Sequence, residues 1–256
     1  MAYKSRSINA RPPYLKRIAY TRPDGHDGYP LSVPLFQNEF ELELDRPITI
    51  IVGENGSGKS TLLEAVALSC GFNVRGGNRN HQYTPEKSGV SLISDAMRLS
   101  WLPKVNDGFF FRAESFIQFG DYLDELAKEE GASVYDAYGG QSLHAQSHGE
   151  SFLTLFTSKL TRNGLFILDE PEAALSPMRQ LSLLSVLFDL EARKNSQVIM
   201  ATHSPILMAF PNAKLLFLDD NTFTEMNYKD TPHYAVTRRF LESPERYLEE
   251  LKASTE

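Results

Sequence analysis

The chain has 256 residues, 41% hydrophobic and 23% charged, with a net charge of −7; this is the composition of a packed globular domain rather than of a general nucleic-acid binder. No run approaches the roughly 18 apolar residues that a membrane span needs. The single cysteine, Cys70, excludes an internal disulfide framework and a cysteine-based metal site, and with no apolar leader after Met1 a cytoplasmic location is expected.

The first 22 residues hold Lys4, Arg6, Arg11, Lys16, Arg17 and Arg22 and no acid, so the rest of the chain carries −13. Such a stretch is either a contact for an anionic partner or a solvated tail and first strand. Residues 21–34, rich in Pro, Asp and Gly, read as a loop. Phe36, Phe40, Leu42 and Leu44 alternate as in a half-buried strand over Leu35–Leu44. Ile48 to Val52 is a β-branched run of the kind buried on both faces of a parallel sheet. A helix through Leu62, Leu63, Val66 and Leu68 to Cys70 should follow.

Residues 71–146 read as an insertion or lid within one 256-residue domain. Inside it, a short helix is expected near Asp95–Leu99, a strand at Phe109–Phe111 and a helix over Tyr122–Glu130. Residues 131–149 read mostly as loop. A helix over Ser151–Leu160 and a buried strand over Leu165–Leu168 come next. Ser176-Pro177 supplies the N-cap and first position of a long helix ending near Arg193-Lys194-Asn195. Strands over Val198–Thr202 and Leu215–Leu218 complete the pattern. The segment with Glu242, Glu245, Glu249 and Glu250 is a solvated helix face or a docking helix. Strands alternating with helices predict an α/β fold with a mainly parallel sheet flanked by helices.

The chemistry lies where these strands end. Gly53-Glu54-Asn55-Gly56-Ser57-Gly58-Lys59-Ser60 fits G-x-x-x-x-G-K-[ST] between a buried strand and a helix. Its glycines let the backbone approach phosphate oxygens, and the amides and helix dipole favour their charge. Lys59 should reach the β- and γ-phosphates, Ser60 should ligate Mg²⁺, and Thr61 should add an α-phosphate contact. Asp169-Glu170 follows the second buried strand. Neighbours at a strand end diverge, so Asp169 can hold Mg²⁺ while Glu170 polarises the attacking water. His203 ends a third strand, where an imidazole can bond both γ-phosphate and water.

Taken in order, these elements resemble the ABC-class ATPases: Walker A at Gly53–Ser60, Walker B with its catalytic glutamate at Leu165–Glu170, and the switch histidine at His203. The resemblance implies ATP and Mg²⁺ as ligands. The family also needs a signature motif, usually Leu-Ser-Gly-Gly-Gln. Here Gln146-Ser147-His148-Gly149-Glu150-Ser151 stands in its place, with Ser147 and Gly149 at the serine and second-glycine positions. In the family this motif faces the nucleotide of the other subunit, which implies an ATP-induced homodimer. The Q-loop position falls on Glu114, a possible ligand of Mg²⁺ or its water, or on Gln118. Tyr14 and Tyr20 are the candidates for stacking on adenine. The Ser-His-Gly-Glu variant looks like a group of small stand-alone bacterial ATPases related to the DNA-repair branch, so DNA or a protein effector is the expected partner. The alternatives are the nucleotide-binding subunit of a membrane transporter and an ATP-gated module without turnover. Ser60 and Ser147 lie too close in sequence for the long coiled coil of an SMC protein.

Overall fold

The computed structural model describes residues 11–25, 27–73, 89–145, 148–160, 163–219 and 221–253. Strand β1 (Leu15–Tyr20) is followed by a 3₁₀ turn at Pro34–Gln37 and by β2 (Phe40–Glu43). Strand β3 (Ile48–Gly53) leads into α1 (Lys59–Ser69). Then come α2 (Val90–Asp95), β4 (Met97–Trp101), β5 (Gly108–Arg112) and α3 (Phe116–Glu130). Short 3₁₀ turns lead to α4 (His148–Lys159), β6 (Gly164–Asp169), α5 (Pro177–Arg193) and β7 (Ser196–Ala201). The chain ends through α6 (Pro205–Met208), β8 (Lys214–Asp219), β9 (Thr222–Glu225), α7 (Pro232–Glu242) and α8 (Pro244–Ala253).

Two sheets result. The larger has the order β5-β6-β7-β3-β8-β9 and is parallel except for the β8–β9 pair. The smaller is antiparallel, β2-β1-β4. The apolar runs are explained by alternation. Ile48, Ile50 and Val52 face one core with Phe166, Leu168, Val198 and Met200, beneath α3, α4 and α5. Ile51, Leu165, Ile167 and Ile199 face a second core with α1, β1 and β2. A strand with a core on each face favours apolar residues at nearly every position, which is why these strands read as near-continuous runs, Thr49 and Gln197 being buried polar exceptions. Gln197 clasps the sheets together: its Oε1 accepts from Tyr14 N and Leu15 N, both at 2.8 Å, and its Nε2 donates to Leu15 O at 2.9 Å.

Two expectations need correction. The strand expected over Leu35–Leu44 shrinks to Phe40–Glu43, because Pro34 opens a 3₁₀ turn that buries Leu35 and Phe36. The helix expected near Asp95–Leu99 ends at Asp95, and the next residues pair with β1 as β4. Among its described residues, the range 71–146 supplies an edge strand to each sheet, β4 and β5, together with the helices α2 and α3.

Candidate active site

Strands β3, β6 and β7 are neighbours and parallel, so their C-terminal ends deliver Gly53, Asp169 and Ala201 to one edge of the sheet. The phosphate loop starts there. A Cβ on Gly53 would meet Leu218 O at 2.4 Å, so the loop leaves the strand pressed against β8. Gly58 has φ +105° and sits against the 3₁₀ turn, where a Cβ would meet Val33 Cγ1 at 2.9 Å. Lys59 is 4% exposed and folds back, its Nζ donating to Gly53 O at 2.9 Å and to Glu54 O at 2.8 Å. Burial lowers the pKa of this ammonium, against the pull of Glu170, Asp169, Glu54 and Glu172. A buried cation held by two neutral carbonyls gains from exchanging them for anionic oxygens.

Ser60 begins the first turn of α1, and its hydroxyl donates to Asp169 Oδ1 at 2.9 Å. Asp169 is 2% exposed, and burial pushes its carboxyl up to about 7, although Arg112 and Ser60 pull it down. Arg112, at the end of β5 and in register with Asp169, reaches its Oδ2 from Nε at 3.5 Å. The same guanidinium binds Glu64 Oε2 at 2.9 Å and Glu114 Oε2 at 3.4 Å. A half-buried hydroxyl and a buried carboxylate with one charge partner at the rim form a hard-oxygen pair suited to Mg²⁺, which takes few protein ligands and completes its shell with phosphates and water.

Glu170 turns the chain sharply away from the strand. It holds φ 48° and ψ 53°, a left-handed conformation rare for a residue with a side chain. Its carboxylate consequently diverges from that of Asp169: the Glu170 side chain is 39% exposed. Opposite it, His203 Nε2 lies 3.8 Å from Glu170 Oε1. The His203 backbone N–H donates to Glu172 Oε1 at 2.5 Å, and its Nδ1 faces Nε2 of His233 at 3.1 Å. Burial and the nearby Lys59 hold the His203 imidazole below its usual pKa.

The structure thus brings together Gly53, Gly58, Lys59, Ser60, Asp169, Glu170 and His203. Glu54, Asn55 and Gly56 form the exposed crest of the loop, beside a buried Ser57. Thr61 is half-buried on α1. Ser147 lies outside the described residues, while Gly149 falls in the first turn of α4. Glu114 does not touch Ser60 or Asp169; its side chain is 78% exposed and paired with Arg112. Gln118 is exposed on α3. Tyr14 and Tyr20 cannot stack on adenine, since they are 4% and 1% exposed and their hydroxyls donate to Asn195 O and Phe36 O. Sequence reasoning missed Arg112, Glu172 and His233. Only Arg112 left a trace, as a cation directly after an aromatic strand.

Two family models match, one described as an AAA domain over residues 33–120 and one as an AAA domain, putative AbiEii toxin, Type IV TA system, over residues 112–209. The hemin import ATP-binding protein HmuV of Pseudomonas aeruginosa is 30% identical over 208 residues, spanning 70% of this chain and 76% of that protein. The aliphatic sulfonates import ATP-binding protein SsuB 1 of Paracoccus denitrificans is 28% identical over 187 residues, 72% of each. Among solved structures, that of cbiO1 from Clostridium perfringens, part of the ABC transporter complex cbiONQ, aligns with a TM-score of 0.50 and 17% identity over 93% of this chain and 99% of that one, which is a likeness of fold. The phosphate loop, the buried aspartate and the glutamate beside it therefore sit in a chain that belongs to the ABC-type P-loop ATPases, enzymes that hydrolyse ATP.

Proposed function

We propose that this chain works as an ATP-sandwich homodimer supplying energy to a larger assembly. The observation that carries the reading is the convergence of Lys59, Asp169, Glu170 and His203 at the ends of three adjacent parallel strands. On nucleotide binding, Lys59 exchanges the carbonyls of Gly53 and Glu54 for β- and γ-phosphate oxygens. Ser60 and Asp169 hold Mg²⁺, which when bound offsets the charge that develops on the phosphates. Glu170 orients a water and takes its proton as the oxygen bonds to γ-phosphorus and the bond to the ADP oxygen breaks. His203 donates to a γ-phosphate oxygen. Ser147 and Gly149 of a second copy close the site over the γ-phosphate, so that ATP joins two chains and hydrolysis separates them.

The relatives favour one partner class. Several are import ATP-binding proteins, and this supports docking on a membrane permease over the DNA expected from the sequence. No helix among the described residues is long and apolar enough to cross a membrane. The basic stretch also weakens as a DNA contact, since Arg17 pairs with Glu41 and Arg22 with Asp27. A second reading, a free-standing switch on a protein effector, is favoured by the match of residues 112–209 to the model described as a putative AbiEii toxin. Affinity purification of the chain from its native membranes separates the two. A co-purifying polytopic membrane protein supports the permease reading, and a soluble stoichiometric partner overturns it. The site reading is tested by phosphate release. Glu170→Gln should keep ATP binding and lose at least about 100-fold in turnover; turnover equal to the parent would remove Glu170 from the mechanism.

A further inference from the structure

His203 is half of an imidazole pair. The rings of His203 and His233 have centroids 5.3 Å apart and are inclined at 51°, with His203 Nδ1 and His233 Nε2 at 3.1 Å. Both residues are pinned through their backbones. His233 is the second residue of α7, behind Pro232. The helix is capped by the buried Thr231, whose Oγ1 donates to Tyr228 O at 2.7 Å and accepts from Tyr234 N at 3.2 Å. His203 is held by its own N–H on Glu172. The two outer nitrogens, His203 Nε2 and His233 Nδ1, are buried and have no hydrogen-bond partner. Glu170 Oε1, at 3.8 Å from His203 Nε2, is too far to be one.

A neutral imidazole carries one N–H and one lone pair. Burial and then Lys59 lower the pKa of His203, and burial does the same for His233 against the pull of Glu54, so both rings favour the neutral form. One proton then lies between the rings, and the pair has two arrangements. If the proton is on His203 Nδ1, its Nε2 turns a lone pair toward the phosphate loop. Phosphate oxygens are acceptors, and such a ring repels them. If the proton is on His233 Nε2, His203 Nδ1 accepts it, and His203 Nε2–H faces the loop as a donor. The second nitrogen of an active-site imidazole sets what the first can do.

We propose that His233 is a positioning residue for ATP hydrolysis, donating its Nε2–H to His203 Nδ1 and so fixing His203 in the tautomer whose Nε2–H can bond the γ-phosphate. This rests on the reading of His203 as a phosphate contact. The chemistry is brought by α7, a helix with no fully buried residue that is exposed from Val236 onward. His233 touches no reacting atom; its effect passes through His203 alone.

Three variants of the full-length chain test it: His233→Phe, which keeps the ring and removes the N–H; His233→Gln, whose amide N–H has about the same reach; and His203→Ala. Steady-state ATP turnover is read for each. ¹⁵N spectra of histidine-labelled protein give the protonation of the His203 nitrogens, assigned from the signals lost in His203→Ala. The expected result is a kcat lowered roughly ten-fold in His233→Phe with KM for ATP little changed, on the scale of outer-shell partners of other imidazoles. His203 should be protonated at Nε2 in the parent and in His233→Gln, and mixed in His233→Phe. Turnover in His233→Gln should return to within about two-fold of the parent. Unchanged kcat and unchanged His203 signals in His233→Phe overturn the proposal, as does a His233→Gln no better than His233→Phe. If His203→Ala keeps full turnover, the reading of His203 falls and the proposal with it. If His203→Ala is inactive while His233→Phe is fully active, the His233 assignment alone falls.

Discussion

The Ser60 hydroxyl donates to Asp169 Oδ1 at 2.9 Å, across 109 positions of sequence, and this bond joins the phosphate loop to the acidic strand end. It forms because α1 starts under the C-terminal edge of the sheet, beside the end of β6. The loop and the strand end thus meet at a carboxylate that burial keeps reluctant to ionise.

That reluctance has a pH signature. The carboxyl of Asp169 has an ordinary value of 3.8 and a folded value of about 7. A raised folded value means that the native state favours the protonated form. The stability this contributes is complete below about pH 4 and is lost as the pH rises to about 7. Asp169→Asn cannot ionise and escapes the loss. It should be more stable than the parent near pH 8 by about 2 kcal/mol, discounting the lost Arg112 contact, and nearly equal to it only below about pH 4. Denaturant unfolding at the two pH values measures this. The same variant should have no magnesium-dependent turnover.

Lys59→Ala should weaken ATP binding by roughly 100-fold or more, because a buried cation to phosphate pairing is lost from a water-poor site. Isothermal titration with a slowly hydrolysed ATP analogue reads the affinity. The fold should survive, since the bonds lost are only those to the carbonyls of Gly53 and Glu54. Unchanged affinity would refute the cradle.

Gly58→Ala should cost roughly 2 kcal/mol or more in stability and also impair ATP binding. Its φ of +105° disfavours any side chain, and the added Cβ would press on Val33 Cγ1 at 2.9 Å and Leu35 Cβ at 3.2 Å. Thermal melts with and without nucleotide separate the two effects. Trimming the neighbour in Gly58→Ala/Val33→Ala should recover part of the stability.

What was legible in the sequence was local. The loop from Gly53 to Ser60, the pair Asp169-Glu170 and His203 each follow a β-branched or aliphatic run directly, so strand and chemistry are read together. The long helix after Ser176-Pro177 was legible for the same reason, and it runs over Pro177–Arg193. Pairing at long range was not legible. Met97-Arg98-Leu99-Ser100-Trp101 alternates apolar and polar residues, with Met97, Leu99 and Trp101 on the core side, but its partner β1 lies far earlier in the chain and the pairing itself is not written in the segment. His233 meets His203 only because β8 and β9 return the chain to the same edge before α7 begins. Arg112 reaches Asp169 through the register of β5 on β6, a relationship that neither segment displays alone. Glu114 was placed by motif order, yet the turn after β5 directs it outward to Arg112.

The central claim is that ATP joins two copies of this chain and that Glu170 ends their association by hydrolysis. The direct test is the mass in solution of Glu170→Gln, by light scattering, with and without Mg-ATP. The account predicts one chain mass, 28.8 kDa, without nucleotide and twice that with it, the parent returning to monomer as ATP is consumed. A variant that binds ATP and stays at one chain mass would contradict the sandwich, and would mean that Ser147 and Gly149 do not complete a second copy's site.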